Sequence, residues 1–151
     1  MPSILLPITH CRQRSDSDCL AACAAMALQH LALSVDYDYV LQLLEVKPFG
    51  TAGHNLNNLT VLGVQVVYTE GTLDEVKAYL ADGLPCIALV RTGQLHYWTY
   101  STNHALLVVG FDEQAVYVND PAFEQAPQRI PLNEFHLAWL EFDYRYGVLK
   151  L

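Results

Sequence analysis

An apolar segment near the start of the chain, Cys19–Leu31, limits the possible folds more than any other feature. It is rich in alanine and leucine, which are strong helix formers, and it has almost no polar face. Asp18 or Ser17 comes directly before it, and both residue types favour the N-cap position of a helix. A helix that is apolar on all sides has to be buried, so we predict a central helix surrounded by the rest of the domain.

The same segment is too short to cross a membrane. Its longest uncharged apolar run, Cys19–Leu28, would span only ~15 Å as a helix, about half of the ~30 Å hydrocarbon core. No positively charged stretch precedes a long apolar run at the N-terminus, so we expect neither a signal peptide nor membrane insertion. The expected location is cytoplasmic. There the cysteines remain reduced thiols, namely Cys11, Cys19, Cys23 and Cys86.

The composition is typical of one folded domain. A chain of 151 residues has the length of a single domain, here residues 1–151. Hydrophobic residues make up 52% and charged residues 16%, which excludes a mainly disordered chain. Acidic residues outnumber basic ones by 16 to 8, and the net charge is −8. Such a chain is not attracted to phosphate backbones, so we expect no nucleic-acid partner.

Helical patterns precede most of the β-patterns along the chain. Periodicity and capping residues predict helices at Cys19–Leu31, Asp36–Leu44, Leu56–Leu62, Thr72–Gly83 and Leu132–Trp139. Runs of β-branched and aromatic residues predict strands at Val64–Thr69, Cys86–Val90, Leu95–Tyr100, Ala105–Phe111, Ala115–Val118 and Tyr144–Leu149. This order predicts an α+β domain in which N-terminal helices pack on a largely antiparallel C-terminal sheet.

Cys19 is the first residue of the predicted buried helix. Unpaired backbone N–H groups and the helix dipole favour negative charge at that end, so a thiol there ionises readily and becomes a nucleophile. A free cysteine is more often a small buried apolar residue, and Cys23 and Cys86 fit that description. Cys19 is therefore the candidate nucleophile. The side-chain N–H of Gln13, six residues upstream, can share an oxyanion with the backbone N–H of Cys19.

His104 and Asp120 are the candidates for a base and its orienting group. If residues 112–114 form a tight hairpin turn, antiparallel pairing centred on residue 112 brings Asp120 back beside His104. Taken singly, a hydrogen-bonded histidine at a strand end and a turn aspartate are equally ordinary features. Together with Cys19, they form the nucleophile, base and orienting group of papain-like catalysis.

The chain resembles the C39 and C39-like cysteine peptidases over essentially its whole length. The resemblance rests on Gln13 and Asp18–Met26, then on His104 with Val109–Asp112, and finally on Tyr117–Pro121, in that order. These bacterial enzymes have a papain-like fold and are best known as the leader-cleaving domains of bacteriocin exporters. The resemblance implies a cysteine peptidase of papain-like fold that acts on a peptide or protein, with a leader peptide as one candidate substrate.

The same resemblance implies roles for particular residues. Four of them are catalytic: Cys19 as nucleophile, His104 as general base, Asp120 as its orienting group and Gln13 as oxyanion donor. Three more are candidates for contacts with the substrate: Leu20, Trp98 and Asn103. The family usually has glycine, often with proline, directly after the nucleophile, whereas this chain has Leu20 and Ala21. We expect the leucine side chain to crowd the cleft beside the thiol and to limit substrate size.

Two further functions stay open at this point. The same acyl-enzyme would serve an acyl transferase or transpeptidase, and a C39-like domain can also bind a peptide or partner protein without catalysis. Formation of a homo-oligomer, with a second copy of the chain as the partner, stays open as well. No cofactor is expected. A zinc site that combines Cys11, Cys19 and Cys23 with a histidine is disfavoured, because the spacing matches no compact zinc motif, and no metal site is predicted.

Overall fold

The strands form a single antiparallel sheet, and most of them lie in the second half of the chain. The computed structural model describes residues 2–151. Its strands are β1 (Ile4–Leu5), β2 (Gln65–Glu70), β3 (Cys86–Arg91), β4 (Asn103–Phe111), β5 (Ala115–Asn119), β6 (Gln128–Pro131) and β7 (Arg145–Lys150). Its helices are α1 (Cys19–His30), α2 (Tyr37–Leu43), α3 (Leu73–Ala81) and α4 (Leu132–Leu140), with 3-10 helices at Gly53–Leu62 and Thr92–Gln94.

Helices cover both faces of the sheet. The strand order is β2-β7-β3-β4-β5-β6, with β1 paired to β4, and all these pairs are antiparallel. Helices α1 and α2 and the first 3-10 helix pack on one face, and α3 and α4 pack on the other. The predicted α+β domain, with a buried helix packed on an antiparallel sheet, is confirmed.

Helix α1 lies at the centre of its face, as its apolar sequence predicts. Eight of its twelve residues are buried. The side chains of Ile87, Leu107 and Leu149 belong to the same core and come from three adjacent strands. Burying each such side chain stabilises the fold by ~1.5–3 kcal/mol relative to its exposure. Within residues 2–151, no helix is both long and apolar enough to cross a bilayer.

The hairpin of β4 and β5 has a register different from the predicted one. Leu107 pairs with Asn119, and one further step along this ladder sets Asp120 opposite Leu106. His104, two residues from Leu106, is therefore a diagonal neighbour of Asp120 on the same face, and the two are not a direct pair. A diagonal neighbour is still within reach of a long side chain, so the altered register allows the predicted contact.

The altered register originates at the turn. The carboxylate of Asp112 accepts the backbone N–H groups of Gln114 at 2.7 Å and Ala115 at 2.8 Å. These bonds close a turn in which Phe111 pairs with Val116. The centre of the turn therefore lies later than residue 112, where the prediction set it. An irregularity between Val108 and Gly110 then shifts the register once more before Leu107 pairs with Asn119.

The segment Leu95–Tyr100, predicted as a strand, is a loop between a 3-10 helix and β4. Thr92 closes this loop, because its N–H donates to the carbonyl of Thr102 at 2.9 Å and its hydroxyl donates to the carbonyl of Tyr100 at 2.8 Å. These side-chain and backbone bonds replace the sheet ladder. The prediction was wrong because aromatic residues that line a folded loop resemble those of a half-buried strand.

Local sequence signals mark two helix ends in the structure. Gly63 ends the first 3-10 helix with φ at 86°, a left-handed conformation that glycine adopts at little steric cost. Thr72 caps α3, since its hydroxyl accepts the backbone N–H of Glu75 at 3.2 Å. Strands β1 and β6 are not among the predicted strands. With two and four residues they are too short for a periodic signal.

Candidate active site

Cys19 begins α1, and its side chain is only partly buried. Asp18 occupies the N-cap position, but its carboxylate makes no hydrogen bond to the helix. It turns back and accepts the backbone N–H groups of Arg14 at 3.0 Å and Ser15 at 2.7 Å. The carboxylate that could cap α1 is thus engaged elsewhere, which leaves the backbone donors at the helix start for another acceptor.

Asp18 holds the loop before α1 against α2. Its carboxylate accepts the hydroxyl of Tyr37 at 2.5 Å, and the whole residue is 2% exposed. Burial raises the pKa of the Asp18 carboxyl, but the bonds from Tyr37 and from the loop outweigh burial, and the pKa is lower than usual. Asp18 is therefore a buried anion that organises residues 14–17 and fixes where α1 begins.

His104 and Asp120 are in direct contact. The imidazole Nε2 lies 2.7 Å from Oδ1 of Asp120. The two side chains are 4% and 0% exposed, so little water competes for this interaction. The contact joins the second residue of β4 to the residue that follows β5. The sequence predicts the same contact, through a different register.

Three further donors hold the carboxylate of Asp120. The Tyr97 hydroxyl and the Trp98 indole N–H donate to Oδ2 at 2.8 Å and 2.9 Å. The backbone N–H of Ala122 donates to Oδ1 at 3.0 Å. Burial raises the pKa of Asp120, but the bond and charge of His104 and the bonds from Ala122 and Trp98 outweigh burial and lower the pKa. Asp120 is a fixed anion beneath the imidazole.

The neighbours of His104 favour its protonated form. Burial is the largest influence and lowers the pKa of the imidazole, whereas hydrogen bonds and negative charge from Asp120 and the Cys19 side chain raise it, to about 9 overall. Because Asp120 engages Nε2, Nδ1 is the nitrogen that remains for the sulfur. At neutral pH an imidazolium is therefore favoured between the Asp120 carboxylate and the Cys19 sulfur.

The candidate site opens into a cleft with two arms that meet at His104. The aromatic arm has a volume of 530 Å³ and is lined by Gln13, Tyr97–Tyr100 and Phe123. The arginine arm has a volume of 510 Å³ and is lined by Cys19, Phe49–Gly53, Tyr68, Leu89, Arg91 and Arg145. A cleft that extends to both sides of the His104 ring suits an extended chain that passes the thiol.

Gln13 lies in the aromatic arm, next to the loop that carries Asp120. Its backbone N–H donates to the carbonyl of Pro121 at 2.9 Å, and its side-chain Nε2 donates to the carbonyl of Ser15 at the same distance. The amide has a second N–H hydrogen, which is available to an acceptor in the cleft. Its Oε1 is buried and has no hydrogen-bond partner among residues 2–151.

The three predicted substrate contacts lie at different depths. Trp98 packs edge-on against His104, with 4.7 Å between ring centroids, and lines the aromatic arm. Asn103 is exposed where the two arms meet. Leu20 borders the arginine arm but is 2% exposed and packs in the core. Because its side chain turns inward from α1, the expected crowding of the cleft by this leucine is not observed.

Sequence reasoning missed the support that two residues give to this site. It did not anticipate that the Tyr97 hydroxyl donates to Asp120. It treats Asp18 as a helix cap, whereas Asp18 organises the preceding loop. An aspartate directly before the candidate nucleophile was the available signal in the sequence, but its partners depend on the three-dimensional path of the loop.

The other cysteines lie in environments that suppress thiolate formation. Burial raises the pKa of Cys11, of Cys23 and of Cys86. Cys23 and Cys86 are fully enclosed in the two cores. Among residues 2–151, no three His, Cys, Asp or Glu side chains form an arrangement that could hold a metal ion. Cys19 is therefore the thiol that shares a cleft with a histidine.

A family model and known structures match the chain. The model described as "Peptidase_C39 like family" matches residues 5–146. A search of curated protein sequences found no significant match.

Two solved structures resemble the fold over almost the whole chain. A C39-like peptidase from Bacillus anthracis has a TM-score of 0.83 at 16% identity, covering 100% of this chain and 98% of its own. The peptidase domain of Streptococcus ComA, a bifunctional ABC transporter, has a TM-score of 0.74 at 18% identity, with coverage of 95% and 98%.

A third structure contains a bound peptide. It is a double glycine motif protease from an AMS/PCAT transporter in complex with its leader peptide. It matches with a TM-score of 0.78 at 21% identity and covers 98% of this chain and 94% of its own. At these identities the similarity establishes the papain-like fold that the chain shares with these peptidase domains.

Proposed function

Because this chain belongs to the C39-like peptidase family, whose model matches residues 5–146, we propose that it is a cysteine peptidase with Cys19, His104 and Asp120 as its catalytic triad. The observation that carries the proposal is the 2.7 Å contact between Nε2 of His104 and Asp120, on a ring whose pKa also responds to Cys19. A nucleophile, a base and an orienting group in one cleft support acyl transfer.

The reaction follows from the charges at the site. His104 holds the thiol proton, and the Cys19 thiolate attacks the peptide carbonyl and forms a C–S bond. The carbonyl oxygen becomes an oxyanion, and His104 gives its proton to the leaving amine as the C–N bond breaks. Water, deprotonated by His104, then attacks the thioester. This step releases the acid and restores the thiolate–imidazolium pair.

Gln13 supplies one donor to the oxyanion in this proposal, and the backbone N–H of Cys19 supplies the other. Support comes from the free second N–H hydrogen of the Gln13 amide and from the backbone bond that ties Gln13 to Pro121, next to Asp120. Donors that are held in place before the reaction stabilise charge that develops in the transition state.

Alkylation of Cys19 tests the activated thiol. We expect iodoacetamide at pH 6 to modify Cys19 at least ~10-fold faster than Cys11, because an ordinary thiol is under ~1% ionised at that pH. The measurement is peptide mapping by mass spectrometry over a time course. In a His104→Ala variant the advantage at pH 6 should disappear, since the imidazolium that stabilises the thiolate is gone. Equal rates for Cys11 and Cys19 in the wild-type protein would contradict the proposal.

A Gln13→Ala substitution tests the oxyanion donor. We expect kcat for peptide cleavage to fall by ~10²–10³-fold with KM little changed, the usual loss for one oxyanion donor. The rate of Cys19 alkylation should stay unchanged, because the reaction with iodoacetamide does not pass through an oxyanion. Gln125→Ala, at an exposed position outside both arms, is the matched control and should retain wild-type kcat. If the rates of cleavage and of Cys19 alkylation both fell, Gln13 would instead be a residue that maintains the structure of the loop.

We propose a peptide as the substrate, and a leader peptide is the class to test first, because a structural neighbour is a double glycine motif protease that binds one. The cleft with two arms supports an extended peptide. Mass spectrometry of products formed with a peptide and an added amine distinguishes the outcomes. We expect only the hydrolysed product, and an amine adduct would favour the acyl transferase alternative.

A further inference from the structure

The floor of the arginine arm is the exposed end of the sheet face that α1 covers. Side chains two residues apart along a strand share a face. Ile87 of β3 lies in the core beneath the helices, and Leu89 and Arg91 continue the same face into the cleft. Arg145 of β7 comes from the strand next to β3 and lines the same arm. Two arginines therefore occupy the open end of an otherwise apolar floor.

Among residues 2–151, the hydrogen-bond partners of the Arg91 side chain are neutral. Its Nε donates to the hydroxyl of Ser101 at 3.1 Å, and its Nη1 donates to Oδ1 of Asn103 at 2.6 Å. Among residues 2–151, no carboxylate forms an ion pair with it. These two bonds hold the guanidinium in place, and Nη2 keeps donors for a further acceptor. A fixed planar guanidinium matches the geometry of a carboxylate.

Arg145 adds a second positive charge to this arm. Its Nη2 contacts Glu70 at 2.9 Å, a pair that is partly exposed to solvent on both sides. Arg91 and Arg145 line this arm together with Asp16. Glu70 and Asp16 offset much of the positive charge, so the donors that stay available to an anionic group are mainly those of Arg91.

We propose that the arginine arm binds a carboxylate of the peptide substrate, with Arg91 as the main contact and Arg145 as a supporting charge. The inference rests on the proposed peptidase function and adds to it the substrate class, a peptide with an aspartate or glutamate side chain a few residues from the scissile bond. A terminal carboxylate has the same chemistry, and the experiment separates the two sources.

The first measurement uses a peptide library derived from a digested proteome. Wild-type protein cleaves the library, and mass spectrometry of the new termini reports the residues around each cleavage site. We expect aspartate and glutamate to be enriched at one position on one side of the bond. In Arg91→Gln this enrichment should be lost while cleavage continues. Arg129→Gln, an exposed arginine of β6 outside both arms, is the matched control and should keep the enrichment.

The second measurement compares matched peptides made from the best library sequence. One carries glutamate at the enriched position and the other glutamine, and each is prepared with a free and an amidated C-terminus. We expect kcat/KM to be ~10–100-fold higher for the glutamate peptide, the range of a charge-assisted hydrogen bond, regardless of amidation. Arg91→Gln should slow only the glutamate peptide, and Arg91→Lys should retain part of the preference.

Each other outcome overturns the inference in a recognisable way. Equal slowing of both peptides by Arg91→Gln would mean that Arg91 merely positions Asn103, the residue before His104. Dependence on the free C-terminus would assign the carboxylate to the peptide end. Cleavage without any acidic preference would overturn the inference and leave the peptidase function intact. If no peptide were cleaved and Cys19 were unreactive, both the carboxylate-binding inference and the peptidase function would be contradicted.

Discussion

Peptide cleavage is expected to disappear when Cys19 is replaced by alanine. The substitution removes the atom that forms the acyl-enzyme, and no other thiol shares a cleft with His104 in the part of the chain described by the structure. We expect kcat/KM to fall by at least ~10⁴-fold, as is typical when a nucleophile is deleted. Stability should change by less than ~1 kcal/mol, because the side chain is small, lines the cleft and is only partly buried.

Cys11→Ala is the matched control for this experiment, since Cys11 is also a partly buried free thiol near the start of α1. It should retain activity. A second readout is the NMR titration of His104: without the Cys19 side chain, which raises the pKa of the imidazole, the midpoint should fall below about 9. Cleavage that persists in Cys19→Ala would assign the chemistry to another residue.

The second large effect is expected from Asp120→Asn. The substituted amide has almost the same shape, but an NH₂ group at the Oδ2 position would face the donors of Tyr97 and Trp98. Breaking a buried ion pair in this way costs ~3–5 kcal/mol of stability. The imidazole loses its orienting anion as well, so activity should fall by ~10²–10⁴-fold, the size of a general acid–base contribution. Urea unfolding and kcat/KM measure the two effects.

A double substitution distinguishes donor conflict from general damage to the core. Tyr97→Phe removes one of the two donors that oppose the new NH₂ group. The variant Asp120→Asn with Tyr97→Phe should therefore be more stable than Asp120→Asn alone, although Tyr97→Phe by itself destabilises the wild type by ~1 kcal/mol. Additive losses in the double variant would refute the explanation.

The pH dependence of stability provides a further check on the same pair. The pKa of His104 rises from 6.5 to about 9 on folding, so the folded protein binds its proton more tightly than the unfolded chain. The resulting stabilisation is complete below pH 6.5 and is lost as the pH rises through about 9. Unfolding measured at several pH values should show this decline in the wild type. Asp120→Asn should show less of it, because the main cause of the raised pKa is removed.

Much of the architecture follows from local sequence. The apolar run from Cys19 predicts a buried helix because such a segment can find no stable position at the surface. The cap at Thr72 and the glycine at position 63 locate helix ends because they satisfy requirements of the backbone within a few residues. Each of these outcomes depends on neighbours in the chain. The loop at Leu95–Tyr100 was mispredicted because its contacts come from Thr92, Thr102 and Asp120.

The sequence by itself determined that a thiol begins a buried helix, that a histidine begins an apolar strand and that an aspartate follows the next strand. Hydrophobic periodicity and chain order are sufficient for these three statements. Only the tertiary structure decided that Asp120 reaches His104 diagonally, that Asp18 turns away from the helix it precedes, and that Arg91 donates to Ser101 and Asn103. These results depend on strand register and on the path of loops, which are decided by side-chain contacts between distant segments, and local propensity carries no information about them.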